Sequence, residues 1–269
     1  MEAFRRFEEA GWEERAEGYD RLLGRITARV VEPLLDAARV GAGSRVLDLA
    51  CGPGQAAGRA AERGAAPIGI DLSTAMVTLA RRRFPEIEFR QAPAESLPFA
   101  AASFHAVVGN FLLHHLADPP GVAAECARVL TPGGRLALSV WDLPERARFV
   151  GVLLDAIAEA GATPPADLPS GPSFFRYAEP GALSDLFRTA GYTDVEITTV
   201  GFTQWLPSAG DLWTGLLDGT VRTSAVVLAQ PADVRHRIRE AFDRLAGRYA
   251  ESSGLVIPVS VIIAAGTNG

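Results

Sequence analysis

The sequence contains no lysine, and its 26 cationic side chains are all arginine. A chain without lysine cannot form a Schiff base with a substrate, and it cannot build the phosphate loop whose lysine binds nucleoside triphosphates. Cysteine is scarce as well, because Cys51 and Cys126 are the only two among 269 residues. Two cysteines are too few for a disulfide framework or a zinc cluster, so we interpret both as small packing residues.

Long apolar runs are also missing. The longest run near the end, residues 255–265, contains Pro258 and Ser260 and is shorter than the roughly 20 residues that cross a bilayer. Residues 1–6 lack the apolar core of a signal peptide. The net charge of −6 gives no reason to expect a polyanion partner. We therefore expect a cytoplasmic protein, a monomer or homodimer, without a nucleic-acid or membrane partner and without a bound metal.

A glycine turn after a short apolar strand is the most informative pattern that is present. Residues 45–49 predict a strand that contains Asp48, and Gly52 and Gly54 precede a small-residue stretch, 55–64, that predicts a helix. Glycine tolerates positive φ and has no Cβ, so such a turn lets the backbone approach a ligand closely. A carboxylate beside the turn would repel the pyrophosphate of a dinucleotide but attract the cationic amino and sulfonium groups of S-adenosylmethionine. Asp48 therefore favours S-adenosylmethionine.

A second acidic residue strengthens this interpretation. Residues 67–70 predict a buried strand that leads into Asp71, 23 residues after Asp48. An acidic side chain about 20 residues past a glycine loop is where a doubly wound sheet holds a ribose diol. Ser73 then provides the N-cap of a predicted helix at 73–83.

Strands and helices alternate through the first half of the chain, which predicts a parallel sheet covered on both faces. The alternation breaks after residue 142, and an apolar stretch at 255–264 predicts the closing strand. Two insertions leave from the carboxyl end of the sheet, where ligands bind in open α/β folds. The predicted segments are an N-terminal helical lid at 1–30, a cofactor-binding core at 31–142, an inserted cap at 143–180, further core at 181–206, a helical cap at 207–252 and the last core strand at 253–269.

Residues 12–142 resemble the class I S-adenosylmethionine-dependent methyltransferases, in particular the small-molecule group with the motif Leu-Asp-x-x-Cys-Gly-x-Gly, which stands here at 47–54. The resemblance implies a Rossmann-like α/β fold with a seven-stranded, mostly parallel sheet whose last strand is antiparallel. It also implies S-adenosylmethionine as the cofactor and S-adenosylhomocysteine as its product. Carried over by position, it places the methionine amino group near Asp48, the turn at Ala50, Gly52 and Gly54, the ribose at Asp71 and the adenine face on Leu72.

The segment 92–99 is similar to the family's adenine-edge loop but departs from it at one position. The family usually has an aspartate where this chain has Pro93, so the usual side-chain acceptor for the adenine amino group is missing. The resemblance leaves the backbone at Ala94, together with Glu95, to hold the adenine. Asn110 stands at the polar end of the fourth strand, which the resemblance places beside the methionine moiety.

Two histidines follow the fourth strand. His114 is a candidate general base, because the histidine side chain titrates near neutral pH. The alternative is that His114 only packs against the following helix. His115 is a second pocket candidate, or a residue that turns away from the pocket toward the helix packing.

The lid and caps supply the remaining acceptor-site candidates. In similar enzymes the N-terminal helix folds over the cofactor, which implies that Tyr19 and Trp12 contact the cofactor or the acceptor. The alternative is that both side chains only pack on the apolar face of an amphipathic helix. Arg222 is a candidate partner for an acceptor carboxylate or phosphate, since arginine binds such anions in bidentate fashion, or else a surface residue. The caps are rich in aromatic side chains, of which Phe175 and Trp213 are predicted to line the acceptor pocket.

These features predict methyl transfer from S-adenosylmethionine to a small hydrophobic or aromatic molecule of secondary metabolism, with oxygen, nitrogen or carbon as the acceptor atom. A S-adenosylmethionine-binding fold that promotes cyclisation or another non-methylating reaction is the alternative. A hydride-transferring dehydrogenase is disfavoured by Asp48, and a macromolecular substrate is disfavoured by the acidic charge balance.

Overall fold

The computed structural model describes residues 2–169 and 171–269; Met1 and Ser170, which belong to the predicted lid and first cap, lie outside the described residues. A mixed sheet forms the centre of the fold in the part of the chain that the structure describes. Its strands are β1 (Arg45–Leu49), β2 (Ala66–Asp71), β3 (Glu88–Gln91), β4 (Phe104–Asn110), β5 (Leu130–Trp141), β6 (Tyr192–Leu206), β7 (Ala250–Glu251) and β8 (Gly254–Asn268). They are arranged in the order β3-β2-β1-β4-β5-β8-β6, with β7 beside β8.

The strand directions follow the predicted pattern. β1 pairs in parallel with β2 and β4, β2 pairs with β3, and β4 pairs with β5. β8 runs antiparallel between β5 and β6. The predicted α/β fold, with a mostly parallel sheet and an antiparallel last strand, is therefore confirmed. The two-residue β7, which the sequence does not predict, adds a short eighth strand at the turn into β8.

The sheet has an apolar core on each face because its strands are apolar on both sides. On β1, Val46 packs into one cluster, whereas Leu47 and Leu49 pack into the other, as the alternation of side chains along a strand requires. Helices cover both faces. They are α1 (Glu2–Arg21), α2 (Leu23–Thr27), α3 (Val31–Ala37), α4 (Gln55–Glu62), α5 (Thr74–Arg83), α6 (Pro119–Val129), α7 (Arg148–Glu159), α8 (Ala182–Thr189), α9 (Ala209–Gly219), α10 (Arg222–Leu228) and α11 (Ala232–Ala246).

Each core takes its own set of helices. α3, α7 and α11 bury apolar residues on the face that holds Val46, and α6 and α8 bury theirs on the opposite face. Cys51 and Cys126 are free and buried, in agreement with a packing role. Among the residues described, no helix is long and apolar enough to cross a membrane.

β6 and β8 are longer than the sequence predicts. The apolar pattern indicates strands at 195–199 and 255–264, whereas each strand has 15 residues in the structure. β6 lies at the edge of the sheet and is exposed along most of its length. An exposed edge strand needs few apolar side chains, so the hydrophobic pattern does not reveal its ends.

α1 covers the carboxyl edge of the sheet as a helical lid. It packs against α9, and Gly18 allows the close approach, because a Cβ there would lie 2.3 Å from the carbonyl oxygen of Asp218. Glu13 ties α1 to the start of α5: its Oε2 accepts hydrogen bonds from Ser73 Oγ (2.9 Å) and from the Ala75 amide (3.0 Å).

Candidate functional site

A cavity lies beneath α1, at the carboxyl ends of β1, β2 and β4. Its empty space is about 1330 Å³ when the open mouth is counted. The turn after β1, the end of β2 and the loop after β3 form one end of it. The 3-10 turn Leu113–His115 and the start of α10 form the other end. Both ends therefore belong to one continuous cavity, and such concave spaces are where small ligands bind in proteins.

The turn after β1 has the left-handed backbone that its glycines predict. Gly52 and Gly54 have φ values of 51° and 82°, and Ala50 has a φ of 54°. A Cβ on Gly52 would have Met76 Sδ, 4.0 Å away, as its nearest contact, whereas a Cβ on Gly54 would lie 2.8 Å from Phe89 Cζ. Gly52 therefore keeps the cavity open. Gly54 is not part of the cavity wall and instead allows the turn to pack against β3.

The two glycines should respond differently to alanine. Gly54→Ala adds a clash to a strained backbone, so we expect it to lower the free energy of unfolding by about 1–3 kcal/mol. Gly52→Ala adds a methyl group to the cavity wall, so its larger effect should be a loss of affinity for S-adenosylhomocysteine. Thermal denaturation and calorimetric titration of both variants measure the two effects. Greater loss of affinity in Gly54→Ala than in Gly52→Ala would contradict the assignment.

Asp71, at the end of β2, is fixed beside this turn and lines the cavity. Its Oδ2 accepts a hydrogen bond from the Gly52 amide (2.8 Å), and its Oδ1 accepts one from the Ser73 amide (2.9 Å). Burial raises the pKa of the Asp71 carboxyl, and these two amides oppose the rise. Ser73 caps α5 as predicted, because its Oγ accepts a hydrogen bond from the Met76 amide. Both Asp71 oxygens keep a further lone pair that can accept a hydrogen bond from a diol.

Asp48 is buried in β1 and is not among the residues that line the cavity. Its Oδ2 accepts a hydrogen bond from the Ala57 amide of α4 (2.8 Å). Burial raises the pKa of Asp48 to about 7, and the charge of Asp71 adds to the rise. A cation bound near these two carboxyl groups would favour their ionised forms and offset the cost of burial.

Tyr19 brings a polar group from the lid into the same end of the cavity. Its hydroxyl is 2.8 Å from Thr27 Oγ1, and burial raises the pKa of Tyr19 to about 12. The phenol therefore stays neutral and can donate or accept a hydrogen bond. Its ring packs edge-on against Trp12, which also lines the cavity.

The end of the cavity beyond Asp71 is formed by α5 and the loop after β3. Its wall consists of Leu72, Met76, Ala92, Ala94 and Glu95. Two side chains of α6, which sequence reasoning missed, hold this loop: Glu125 accepts a hydrogen bond from the Leu97 amide (2.8 Å), and Arg128 donates one to the Phe99 carbonyl (2.8 Å). No motif links α6 to the loop, so only the fold reveals the contact.

Asn110, at the end of β4, lines the cavity with both ends of its amide bonded. Its Oδ1 accepts a hydrogen bond from Ser139 Oγ (2.6 Å), and its Nδ2 donates one to the Thr27 carbonyl (3.1 Å). The next residue, Phe111, has a φ of 59°, a conformation that bulky residues rarely adopt. The strained turn leads directly to the two histidines.

His114 and His115 stand side by side in the cavity wall, with ring centroids 4.1 Å apart. His114 is 4% exposed and packs against the ring of Phe174 at 4.3 Å. Burial, together with the charge of Arg222, holds the pKa of His114 well below its usual value. His115 does not turn away: its side chain keeps 22% exposure, and its Nδ1 lies 2.8 Å from Glu8 Oε2. Both rings therefore lie in the wall of the cavity.

Arg222 also belongs to the cavity wall and is not a surface residue. Its Nη1 donates hydrogen bonds to the carbonyls of Pro172 (2.9 Å) and His114 (3.4 Å). Burial lowers the pKa of Arg222. A guanidinium whose bonds go to carbonyls keeps its charge available to an anionic group.

Two of the predicted acceptor residues lie outside the cavity wall. The ring of Phe175 packs edge-on against Phe174, and it is Phe174 that lines the cavity. Trp213 packs edge-on against Phe242 and lies under the guanidinium of Arg239, because α9 turns Leu216 and Gly219 toward the cavity instead. Aromatic composition indicated the right segments but not which side of each faces inward.

Residues of the lid that sequence reasoning missed are Arg5 and Glu8, which both line the cavity. Glu8 lies four residues before Trp12, one helical turn away, so helical spacing from the predicted Trp12 is the signal that could have found it. The acidic helix offers several similar carboxylates, however, and only its docking shows which one points inward.

Comparison with known proteins shows the family to which these residues belong. A family model described as a methyltransferase domain matches residues 47–138, which hold the turn after β1, Asp71 and both histidines. The chain is 39% identical over 132 residues to a demethylmenaquinone methyltransferase of Beutenbergia cavernae. The aligned region covers 49% of this chain and 52% of that enzyme. It is 31% identical over 170 residues to the enzyme of the same name from Paenarthrobacter aurescens, covering 60% and 67%. The chain thus spans about half the length of the first of these relatives.

Solved structures share the fold at lower identity. The YcgJ protein of Bacillus subtilis superimposes with a TM-score of 0.60 at 22% identity, covering 89% of this chain and 98% of that one. The [4+2]-cyclase SpnF superimposes with a TM-score of 0.50 at 22% identity, covering 89% and 80%. These likenesses establish the fold alone, and the second belongs to a protein named for a reaction other than methyl transfer.

Proposed function

The chain belongs to the class I S-adenosylmethionine-dependent methyltransferase family, and from this premise we propose that it transfers the methyl group of S-adenosylmethionine to a small hydrophobic or aromatic acceptor. The observation that carries the proposal is a continuous cavity that joins the turn after β1 and Asp71 to the two histidines and Arg222. One end has the features of a cofactor site, and the other has the features of an acceptor site. Transfer between two bound molecules requires such a shared space.

The residues at the cofactor end fit S-adenosylmethionine. Asp71 is held by two amides with lone pairs free for the ribose hydroxyls, and Gly52 leaves the space that a Cβ would occupy. The buried carboxyl of Asp48 lies behind the turn and would stabilise the cationic methionine end. Ala50, Asn110 and Tyr19 would border the methionine, and Leu72, Ala94 and Glu95 would border the adenine, with the backbone near Ala94 replacing the family's aspartate.

The acceptor end is mainly apolar and aromatic. Its wall includes Trp12, Phe111, Trp141, Leu153, Phe174 and Leu216. Such a wall favours a hydrophobic or aromatic acceptor, and the few polar side chains, His114, His115 and Arg222, would orient it. We propose an acceptor of this kind, with secondary metabolism as its source.

The chain's own contribution to the reaction is alignment and the exclusion of water. Bound S-adenosylmethionine would supply a methyl group already activated by the positive sulfur. The fixed amide of Asn110 and the strained turn at Phe111 set the wall where the two molecules meet. Correct alignment of two reactants contributes about 7–11 kcal/mol to lowering a barrier of this type. α1, tied down through Glu13, covers part of the cavity and limits the access of solvent.

A screen with S-adenosylmethionine that carries a trideuterated methyl group tests this function. Purified protein is incubated with panels of aromatic hydroxyl, amine and activated-carbon compounds, and products are detected by mass spectrometry. We expect a product heavier by one trideuteromethyl group in place of a proton, absent with Asp71→Ala and present with the exposed-site control Glu14→Gln. Tight binding of intact cofactor without labelled product from any panel would contradict methyl transfer.

That contrary result would favour the second candidate, a non-methylating reaction such as cyclisation. The structural likeness to a [4+2]-cyclase shows that this fold alone does not fix the reaction. A cyclisation would leave the methyl group on the cofactor, so the mass of recovered S-adenosylmethionine separates the two functions.

A further inference from the structure

Glu8 is a buried carboxylate that the cofactor site does not explain. It is 1% exposed, and within the described residues its Oε1 has no hydrogen-bond partner. A buried polar atom without a partner is energetically unfavourable. Its other oxygen, Oε2, accepts a hydrogen bond from Trp12 Nε1 (3.2 Å) and lies 2.8 Å from His115 Nδ1. An unfavourable buried group in a cavity wall points to a role in the site.

The contact with Glu8 orients the imidazole of His115. A carboxylate oxygen accepts hydrogen bonds, so the contact of Nδ1 with Oε2 selects the tautomer of His115 that carries its proton on Nδ1. In that tautomer the lone pair lies on Nε2, the atom that can take a proton. Trp12 packs edge-on against the same ring, with the ring centroids 5.0 Å apart. His115 lines the cavity and keeps part of its side chain exposed there.

His114 lacks this arrangement. Its ring is buried against Phe174, and the charge of Arg222 disfavours a proton on it. A general base must gain a proton during the reaction, and a nearby carboxylate stabilises the cation that results. The environment of His114 opposes that cation, whereas Glu8 favours it on His115.

We propose that His115 is the proton acceptor of the methyl transfer, that Glu8 is its positioning residue, and that the acceptor is an aromatic hydroxyl; this inference rests on the proposed function. The hydroxyl proton moves to Nε2 of His115 as the oxygen attacks the methyl carbon. The carbon–sulfur bond breaks, and its electron pair stays on sulfur to give S-adenosylhomocysteine. The imidazolium is neutralised by Glu8 until its proton leaves to solvent.

The pair also links chemistry to the position of the lid. Glu8 belongs to α1, whereas His115 belongs to the 3-10 turn after β4. Arg15 and Glu13 dock α1 through the Leu217 carbonyl and the start of α5. The carboxylate therefore reaches His115 only when α1 covers the cavity, so the proton acceptor is complete only in the closed site.

A coloured phenol tests the pair without knowledge of the natural acceptor. The full chain with bound S-adenosylhomocysteine is titrated with 4-nitrophenol, in a buffer whose pH lies below the pKa of the free phenol. We expect the wild-type protein to bind the probe and convert it to the yellow phenolate. Glu8→Gln and His115→Gln should lower the phenolate fraction of bound probe about tenfold or more, while Glu14→Gln, exposed on the same helix, should not.

Several outcomes would overturn the proposal. These are absence of probe binding, a neutral bound phenol in the wild-type protein, or equal phenolate in Glu8→Gln. Loss of phenolate in His114→Gln but not in His115→Gln would move the role to His114 and equally overturn it. Calorimetry with S-adenosylhomocysteine on each variant keeps the cofactor site separate: if the wild-type protein fails to bind it, the proposed function fails instead.

The tautomer of His115 gives a test that needs no variant. Nitrogen-15 spectra of the histidines in the wild-type complex, with four histidines in the chain, should show the Nδ1-protonated form of His115. The Nε2-protonated form would contradict the pairing with Glu8.

Discussion

Asp71→Ala is expected to weaken the binding of S-adenosylhomocysteine by about 10²-fold or more, because the cofactor loses charge-assisted hydrogen bonds of about 1.5–3 kcal/mol each. The variant also releases the amides of Gly52 and Ser73, which Asp71 holds at 2.8 and 2.9 Å. The turn after β1 and the start of α5 would then lose their shared anchor. Isothermal titration calorimetry measures the affinity.

Asp243→Ala provides the matched control for this change. Asp243 pairs with Arg239 on the exposed side of α11 and takes no part in the cavity wall. The control should bind the cofactor product like the wild-type protein. An affinity in Asp71→Ala within about threefold of the control would contradict the ribose assignment, since that difference corresponds to less than one hydrogen bond.

The second large effect concerns Asp48 and pH. Burial raises the pKa of Asp48 to about 7, so the carboxyl of the free protein titrates near neutrality. A cationic ligand favours the ionised carboxyl, so the affinity for S-adenosylmethionine should be highest above about pH 7. Below that pH the affinity should decrease, by up to about tenfold for each pH unit. Asp48→Asn should remove this dependence and bind about 10-fold or more weakly at pH 8. Calorimetric titrations from about pH 5 to about pH 8 measure both effects.

The same variant should be more stable without ligand. A carboxyl whose pKa is raised on folding contributes stability below its unfolded pKa, and this contribution is lost as pH rises through the folded pKa of about 7. Asparagine avoids the buried charge and still offers an oxygen to the Ala57 amide. At about pH 8, Asp48→Asn should therefore melt at a higher temperature than the wild-type protein. A lower melting temperature together with unchanged affinity would contradict the account of Asp48.

The cofactor end was largely predictable because its signals are local in sequence. A glycine turn, an acid at the end of the next strand and a serine cap are each determined by a few neighbouring residues, and the structure places Gly52, Asp71 and Ser73 in one hydrogen-bonded group. The parallel pairing of the first five strands follows from the same alternation, because parallel strands need connections such as helices between them.

The acceptor end was less predictable because it depends on how distant segments pack. Phe174 lines the cavity and Phe175 does not, a difference set by one step along an irregular segment. The sequence left His115 either as a second pocket residue or as one that turns away, and only the tight 3-10 turn shows that both histidine rings lie in the cavity wall. Glu8 acquires its role only through the docking of α1, which no local pattern encodes.

The measurement that tests the central claim most directly is a calorimetric comparison of ligands on the wild-type protein. S-adenosylmethionine and S-adenosylhomocysteine are titrated in parallel with NAD and ATP at about pH 8, roughly one pH unit above the pKa of Asp48. We expect saturable binding of the first two, with one site per chain, and no heat of binding from NAD or ATP. Binding of NAD with no response to either S-adenosyl compound would contradict the account.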